Sequence, residues 1–114
     1  KVFSGGIITY SNESKINQLD IMSKNIENFG AVSEQVALEM AVNIRNKFGT
    51  SIGVSTTGIA GPGGGSKDKP VGLVYVGYCD DKSLKVKRFN FSSSRESNKI
   101  RTSQAVLNYV FKMI

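Results

Sequence analysis

The chain has 114 residues, 39% of them hydrophobic and 21% charged, and a formal net charge of +6 at pH 7. This balance predicts one globular domain over residues 1–114 and excludes a membrane-spanning segment, which needs about 20 consecutive apolar residues. Histidine is absent and Cys79 is the single cysteine, so the sequence excludes Ser-His-Asp and Cys-His catalysis and an internal disulfide. It also argues against a zinc site.

The first elements are predicted to be a strand and two short helical segments. Residues 2–10 are rich in β-branched and aromatic side chains, which favours a strand, and their paired glycines suggest a bulge. Residues 11–14 form a predicted turn whose Ser and Asn side chains can cap a helix. A short helix is expected over residues 15–20, and a second helical turn over residues 26–30.

A longer helix is predicted between Ser33, as N-cap, and Gly49, as the glycine that ends it. Glu34 lies in the first turn, where the helix dipole favours an anion. A buried stripe at helical spacing is predicted from Ala37, Met40, Ala41, Ile44 and Phe48.

The second half is predicted to contain three strands and a helix. Residues 51–57 form a strand before a glycine-rich loop, and residues 71–79 form an apolar strand covered on both faces. A tight turn at residues 80–82 leads into an alternating strand over residues 84–91. From Asn98 onward a helix presents an apolar face made of Ile100, Ala105, Val106, Tyr109, Val110 and Met113. The order of elements predicts an α/β fold, a three-layer α/β/α arrangement with a mixed β-sheet flanked by helices.

The loop within residues 55–72 contains six glycines and very few side chains. Glycine suits left-handed turns and close approach to another group, and successive N–H groups in such turns can hold anions. A phosphate or nucleotide cradle and a flexible hairpin loop are both compatible with this composition. The loop is not a P-loop, because no Gly-Lys-Ser/Thr run opens a helix.

Tyr10 and Lys15 are the candidate acid–base groups, since a desolvated lysine can serve as a base where histidine is missing. The alternative is a surface lysine beside a half-buried tyrosine. Lys67 and Lys69 are either solubilising or phosphate-binding, and Arg95 either meets an anion or is solvated. The hydroxyl candidates for a nucleophile are Ser4, Ser11, Ser55, Thr56 and Thr57, and each is also compatible with a turn or strand role.

The charge excess lies entirely in residues 51–114, which carry ten Lys/Arg and four Asp/Glu. A basic half can meet nucleic acid, a membrane surface or a phosphorylated small molecule. Because aromatic residues are not expected among the basic ones, a solvated basic face is favoured over RNA binding. Cys79 is predicted to be a structural thiol in a reducing compartment, the cytoplasm.

Three segments resemble the CinA C-terminal domain family. They are G-G-I-I-T-Y-S-N-E-S-K at residues 5–15, G-A-V-S-E at residues 30–34, and T-G-I-A-G-P-G-G at residues 57–64 continuing to K-P-V-G at residues 69–72. The family is bacterial and includes nicotinamide mononucleotide deamidases, which are amidohydrolases (C–N hydrolases) of pyridine nucleotide salvage. They release nicotinate mononucleotide and ammonia from nicotinamide mononucleotide, and the resemblance implies no cofactor and no metal.

The resemblance also implies site residues. Tyr10 and Lys15 would belong to a histidine-free catalytic group that activates a serine. Thr57, Gly58, Ala60 and Gly61 would line the substrate site, and Arg95 would hold the phosphate. We therefore expect residues 11–15 and the glycine loop to border one cleft. Arg95 fits imperfectly, because two extra residues separate it from Ile100-Arg101 compared with the family's pattern.

The family's catalytic serine lies in an upstream T-A-E-S-C-T-G-G segment that these 114 residues do not contain. A fragment, a proteolysed form and a degenerate family member are all compatible with this difference. The alternative to an enzyme is a non-catalytic nucleotide-binding or interaction module. The expected partners are a small-molecule mononucleotide and a second copy of the chain in a homo-oligomer, without nucleic acid or membrane.

Overall fold

The structure of the chain is a computed structural model, which describes residues 3–114. This part of the chain contains four helices and three strands. They are, in order, α1 (Asn12–Leu19), α2 (Ser23–Phe29), α3 (Glu34–Phe48), β1 (Gly53–Gly58), β2 (Leu73–Cys79), β3 (Leu84–Asn90) and α4 (Arg95–Met113). The strands form one antiparallel sheet in the order β1-β2-β3.

Helices cover both faces of the sheet. On one face, Oγ of Ser55 in β1 donates a hydrogen bond to the carbonyl of Ala37 in α3 at 2.6 Å. On the other face, the ring of Tyr78 in β2 meets the ring of Tyr109 in α4 edge to face, with 6.3 Å between the centroids. Successive side chains of a strand point to opposite faces, so β2 is covered on both sides. The α/β class and the predicted three layers are confirmed.

The sheet is antiparallel between all described strands, and in this respect it differs from the predicted mixed sheet. The carboxylate of Asp80 accepts hydrogen bonds from the backbone N–H groups of Lys82 and Ser83 at 2.8 and 2.6 Å, which makes the turn from β2 to β3 tight. The loop from β1 to β2 is closed at its base by the N–H of Ile59, which donates to the carbonyl of Leu73. Both connections are hairpins, and hairpins join antiparallel neighbours.

The strand predicted over residues 2–10 is wrong. Beyond the first two residues of the chain, which lie outside the described part, this segment forms no strand. Its burial still alternates, since Ile7 and Thr9 are turned inward while Ile8 and Tyr10 are 80% and 81% exposed. The alternation that favoured a strand is therefore present, but a strand also needs a hydrogen-bonded neighbour, and a local pattern does not reveal one.

Serine side chains decide where the helices begin. Oγ of Ser33 accepts a backbone hydrogen bond from the first turn of α3, and Gly49, with φ of 62°, ends that helix as predicted. Ser11 and Ser14 form a capping box in which each side chain binds the other's backbone N–H, so α1 begins earlier than predicted. Oγ of Ser94 accepts a hydrogen bond from the N–H of Ser97 and so caps α4, which moves the start of this helix ahead of residue 98.

The main apolar core lies beneath α3 and is closed by α1 and the segment before it. It consists of Leu19, Ile21, Val36 and Met40, with Ile7, Ile26 and Ile44 packed against it. Two residues of the predicted stripes are exposed, Phe48 by 38% and Ile100 by 55%, and the rest of the predicted α4 face is half-buried. Cys79 is buried and unpaired, as expected of a structural thiol. None of the helices in residues 3–114 has the length and apolar character required to cross a bilayer.

Candidate functional site

The loop of residues 59–72 leaves β1 and carries few side chains. Its base is closed by two backbone hydrogen bonds, one from Ile59 to Leu73 at 2.9 Å and one from Gly72 to Ile59 at 2.6 Å. Gly61 and Gly72 have φ of 90° and 93°, in the left-handed region that side chains rarely adopt. Glycine is therefore required at these two turns for the loop to return to the sheet.

Two side chains at the start of α4 hold this loop in place. Nη1 of Arg95 donates to the carbonyl of Gly61 at 3.0 Å. Nδ2 of Asn98 donates to the carbonyls of Ala60 and Ser93 at 3.0 and 3.1 Å. The structure thus brings three predicted residues together: Ala60, Gly61 and Arg95. A guanidinium has five N–H donors, so its bond to the loop does not use up its capacity to meet an anion.

Asn98 is a residue of the candidate site that sequence reasoning misses, because the sequence indicates it only as the start of a helix. The side chain is 1% exposed, and its Oδ1 has no hydrogen-bond partner within the part of the chain that the structure describes. Helical spacing is the sequence feature that could have identified Asn98. Asn98 precedes Ala105 by two turns and Tyr109 by three, so a polar side chain stands on the inward face of α4.

A cavity of about 250 Å³ opens between the end of β1 and the start of α4. It is lined by Thr56, Gly58, Ala60, Val74, Asn98, Lys99, Thr102 and Ser103. Gly58 and Ala60 are two of the predicted substrate-binding residues. A Cβ at Gly58 would lie 2.8 Å from Cγ2 of Val74 and 2.7 Å from the carbonyl of Leu73. Glycine is therefore required at position 58, because β2 approaches β1 too closely there for a side chain.

Thr57 points to the opposite face of the sheet. Its Oγ1 donates to the carbonyl of Ala31 at 2.7 Å, and the residue is 6% exposed. Nζ of Lys69 donates to the carbonyl of Phe29, where the C-terminal dipole of α2 favours a cation. Both side chains fasten the loop and its strand to the connection between α2 and α3. Of the two loop lysines, Lys69 therefore has a structural partner, while Lys67 is exposed.

Lys15 is buried in α1, with 7% of its surface exposed, and this excludes the alternative of a surface lysine. Its Nζ donates to the carbonyl of Thr9 at 2.6 Å. Burial lowers the pKa of the Lys15 ammonium from 10.5, because desolvation disfavours the charged form. Tyr10, next to Thr9, is exposed rather than half-buried. The amine of Lys15 is thus desolvated, whereas the phenol of Tyr10 is open to solvent.

The predicted residues fall into two groups. Tyr10 and Lys15 belong to α1 and the segment before it, whereas Gly58, Ala60 and Arg95 lie at the end of β1 and the start of α4. No described contact joins Lys15 to the glycine loop, and neither Lys15 nor Tyr10 lines the cavity. Helix α3 contacts both α1 and β1 and so lies between the groups. The single cleft shared by the two loops stays a prediction.

The outer strand β3 carries basic and aromatic side chains together. Nζ of Lys87 lies 5.4 Å from the centroid of the Phe89 ring, a cation–π contact. The rings of Phe89 and Phe91 are stacked, with 5.5 Å between their centroids. The expectation that aromatic residues are not found among the basic ones is therefore wrong for this strand. Among residues 3–114, no group of three His, Cys, Asp or Glu side chains could hold a metal ion.

Comparison with known proteins finds relatives that match nearly the whole of this chain. A competence-damage inducible protein of Clostridium perfringens is 53% identical over 110 residues, which are 96% of this chain and 27% of the relative. One of Clostridium acetobutylicum is 47% identical over 114 residues, which are 100% of this chain and 28% of the relative. The chain thus spans little more than a quarter of the length of these relatives.

Solved structures give the same result. A competence or damage-inducible protein from Enterobacter asburiae superposes with a TM-score of 0.89 at 27% identity, over 95% of this chain and 68% of that one. The competence/damage inducible protein CihA from Agrobacterium tumefaciens superposes with a TM-score of 0.83 at 34% identity, over 91% of this chain and 64% of that one. The family model of the CinA C-terminal domain matches residues 1–114. The chain therefore belongs to the CinA C-terminal domain family.

Proposed function

We propose that this domain is part of a cytoplasmic amidohydrolase that converts nicotinamide mononucleotide into nicotinate mononucleotide and ammonia. The observation that carries the proposal is the buried amine of Lys15, whose pKa is lowered by desolvation in a chain without histidine. A lysine in that state has a larger neutral fraction near pH 7 and can act as a general base. The glycine loop, which Arg95 holds through the carbonyl of Gly61, is the proposed site of the nucleotide.

The reaction would proceed through an ester. Neutral Lys15 takes the proton of the family's serine hydroxyl while the serine oxygen bonds to the carboxamide carbon. The C–N bond then breaks, the proton passes to the leaving nitrogen, and ammonia departs. Water then attacks the resulting ester, and Lys15 takes a proton from this water and returns it to the serine oxygen as the acyl–oxygen bond breaks. The nucleotide leaves as a carboxylate and its acid proton goes to solvent. Tyr10 would orient the lysine or assist the return of the proton.

The test is ammonia release from nicotinamide mononucleotide by the protein at its native length. We expect Lys15→Met to lower kcat by at least 100-fold, within the range attributed to a general base. Lys15→Arg should be equally impaired, because a guanidinium keeps its proton. Lys24→Met, which removes an exposed lysine from α2, is the matched control and should leave the rate unchanged. Full activity of either Lys15 variant would remove this residue from the mechanism.

The pH profile provides a second readout. If neutral Lys15 is the base, kcat/KM should rise with pH up to an apparent pKa below 10.5, in the direction that burial shifts this group. The acidic limb should belong to Lys15 and remain in the Lys24→Met control. A flat profile across this range would contradict the assignment of Lys15 as the base.

The second candidate is a nucleotide-binding module without catalysis. It is favoured by the state of the buried hydroxyls, because Ser55 and Thr57 both donate to backbone carbonyls and Ser33 is used as a helix cap. Calorimetry with nicotinamide mononucleotide and turnover measured on the same 114-residue chain separate the two candidates. Saturable heat without ammonia would favour the module for this polypeptide.

We further propose that the protein is a homo-oligomer. Helix α4 exposes large apolar side chains along its outer face, including Leu107 at 71% and Phe111 at 82%, and exposed apolar patches favour association. Light scattering should give a mass above that of one copy, and Phe111→Ser should reduce it. An unchanged single-copy mass for the native protein would refute this proposal.

The Lys87–Phe89 contact also warrants a titration of the protein with single-stranded RNA at several salt concentrations. We expect no RNA binding.

A further inference from the structure

We propose that the free edge of β3 binds an extended acidic segment of a partner protein, which adds to the sheet as a further strand. This surface is separate from the proposed amidohydrolase site, since β3 contains neither Lys15 nor any residue of the glycine loop. Three features of β3 support the assignment: outward-facing backbone groups, basic side chains without acidic neighbours on β2, and a groove beside them.

The backbone of β3 has hydrogen-bonding groups that the sheet does not use. In the described part of the chain, β3 has β2 on one side and no strand on the other. The hairpin is closed at its two ends by backbone bonds, from Asp80 to Ser83 and from Phe91 to Gly72. Hydrogen-bonded pairs alternate along an antiparallel ladder. The N–H and C=O groups that point away from the sheet are therefore those of Leu84, Val86, Arg88 and Asn90. Such a row of groups is able to pair with another extended chain.

The side chains of β3 give this edge a positive charge. Lys85, Lys87 and Arg88 are exposed, and the strand contains no acidic residue. Their cross-strand partners on β2 carry no charge and are Tyr78, Val76 and Tyr75. Opposite charges on directly paired residues stabilise a sheet, and like charges destabilise it. The free side of β3 therefore favours an acidic neighbour.

A groove of about 200 Å³ lies beside β3 on the face that α4 covers. It is lined by Lys87, Phe89, Ala105, Asn108, Tyr109 and Lys112. The two lysines supply ammonium groups, and the two rings supply apolar walls. A glutamate side chain suits both, because its carboxylate can meet an ammonium while its methylene groups contact a ring. Alternate side chains of a strand point to the same face, so every second residue of the added strand lies on the side of this groove.

Other occupants fit this edge less well. Single-stranded RNA stacks its bases on open aromatic faces. The Phe89 ring is already engaged by the ring of Phe91, with 5.5 Å between centroids, and by the ammonium of Lys87 at 5.4 Å. A lipid surface has no backbone to pair with the outward-facing groups of β3. A second copy of β3 would bring basic side chains against basic side chains, which is unfavourable.

The test is a titration of the protein at its native length with three peptides, each of seven residues to match the length of β3. The first alternates glutamate with valine, and the second has lysine in place of glutamate. The third is the glutamate peptide with an N-methyl group on every valine, which removes the donors that face β3 when glutamates lie opposite the lysines. Binding is measured by calorimetry, and the backbone of β3 is followed by amide hydrogen exchange.

We expect the glutamate peptide to bind saturably and to slow exchange at the outward-facing amides of β3, among them those of Val86 and Arg88. The lysine peptide and the N-methylated peptide should each bind at least tenfold more weakly. The affinity of the glutamate peptide should fall as salt is added, because the charges that attract it are exposed.

Variants of exposed lysines test the surface without disturbing the core. Lys85→Gln combined with Lys87→Gln should weaken binding of the glutamate peptide at least threefold. The matched control, Lys24→Gln combined with Lys47→Gln, removes the same charge from α2 and α3 and should leave the affinity unchanged. Full affinity in the β3 double variant would contradict the assignment of this surface.

Four other results would also overturn the inference. Absence of saturable binding would show that the lysines only protect the edge from pairing. Equal binding of the N-methylated peptide would show attraction between charges without strand addition. Slow exchange at the outward-facing amides before peptide is added would show that the native protein or a second copy already covers the edge. Displacement of the peptide by single-stranded RNA would assign the surface to nucleic acid.

Discussion

Replacement of Gly77 by alanine should strongly destabilise the fold, because β2 passes close beneath α3 at this residue. A Cβ at Gly77 would lie 2.4 Å from the carbonyl oxygen of Ala37 and 2.5 Å from Oγ of Ser55. Those two atoms already form a hydrogen bond of 2.6 Å. Ordinary contact begins near 3.4 Å, so α3 must move away by about 1 Å or the hydrogen bond must break.

The magnitude follows from these two costs. Overpacking of a close-packed core costs about 1–3 kcal/mol. A buried carbonyl left without its donor costs a further 1–3 kcal/mol or so. The free energy of unfolding should therefore fall by roughly 2–6 kcal/mol in Gly77→Ala, a large part of the 5–15 kcal/mol or so that is typical of a domain.

The assay is urea unfolding followed by circular dichroism, with two other glycines as controls. Gly63→Ala meets no atom within 4 Å and should change stability by less than about 1 kcal/mol. Gly49→Ala also has open space but keeps a φ of 62°, so it should cost about 1 kcal/mol. If Gly77→Ala were no more destabilising than Gly63→Ala, the close contact between sheet and helix would be wrong.

Three further predictions concern individual side chains. The lowered pKa of Lys15 means that the unfolded chain binds this proton more tightly, so the free energy of unfolding should rise with pH between the lowered pKa and 10.5. Lys15→Met should abolish that rise in urea titrations, and an unaltered rise would contradict the burial of its charge. Burial and the hydrogen bond to Asp80 raise the pKa of Tyr78 to about 12, so stability should fall as pH rises from 10 to 12. Burial also raises the pKa of Tyr109, so Tyr78→Phe should reduce this fall without removing it. The variant should cost about 1 kcal/mol at neutral pH, measured by denaturant unfolding, and an undiminished fall would assign the effect to another group. Ser33→Ala removes the cap of α3 and should cost about 1 kcal/mol, measured by thermal unfolding, and an unchanged melting temperature would show that the cap is dispensable.

Much of the fold follows from local signals. The serine cap and terminal glycine of α3, the apolar run of β2 and the Asp80 turn each operate through contacts within a few residues, and each is where the sequence predicts it. The segment at residues 3–10 has the burial alternation of a strand but not its hydrogen-bonded neighbour. Ile100 has the spacing of the α4 face yet is exposed, because the part of the helix turned inward is set by the sheet beneath it.

Local signals likewise identify only part of the candidate site. The family segments are enough to identify Lys15 and the glycine loop as features of interest, and the loop's need for Gly61 is a local matter of backbone conformation. Lys15, whose burial lowers its pKa, lies in α1, and α1 packs against α3, which begins 19 residues later. Asn98 donates a hydrogen bond to the carbonyl of Ala60, 38 residues earlier, and no local sequence pattern predicts that bond.

The sequence by itself therefore determines the α/β class, the family, both ends of α3 and the turn residues, because caps, periodicity and backbone sterics act between neighbours in the chain. Only the tertiary structure decides that the first extended segment is unpaired, that Asn98 holds the glycine loop, and that Lys15 loses its solvent. These properties depend on which distant groups exclude water from one another, and that is settled only when the helices and the sheet pack together.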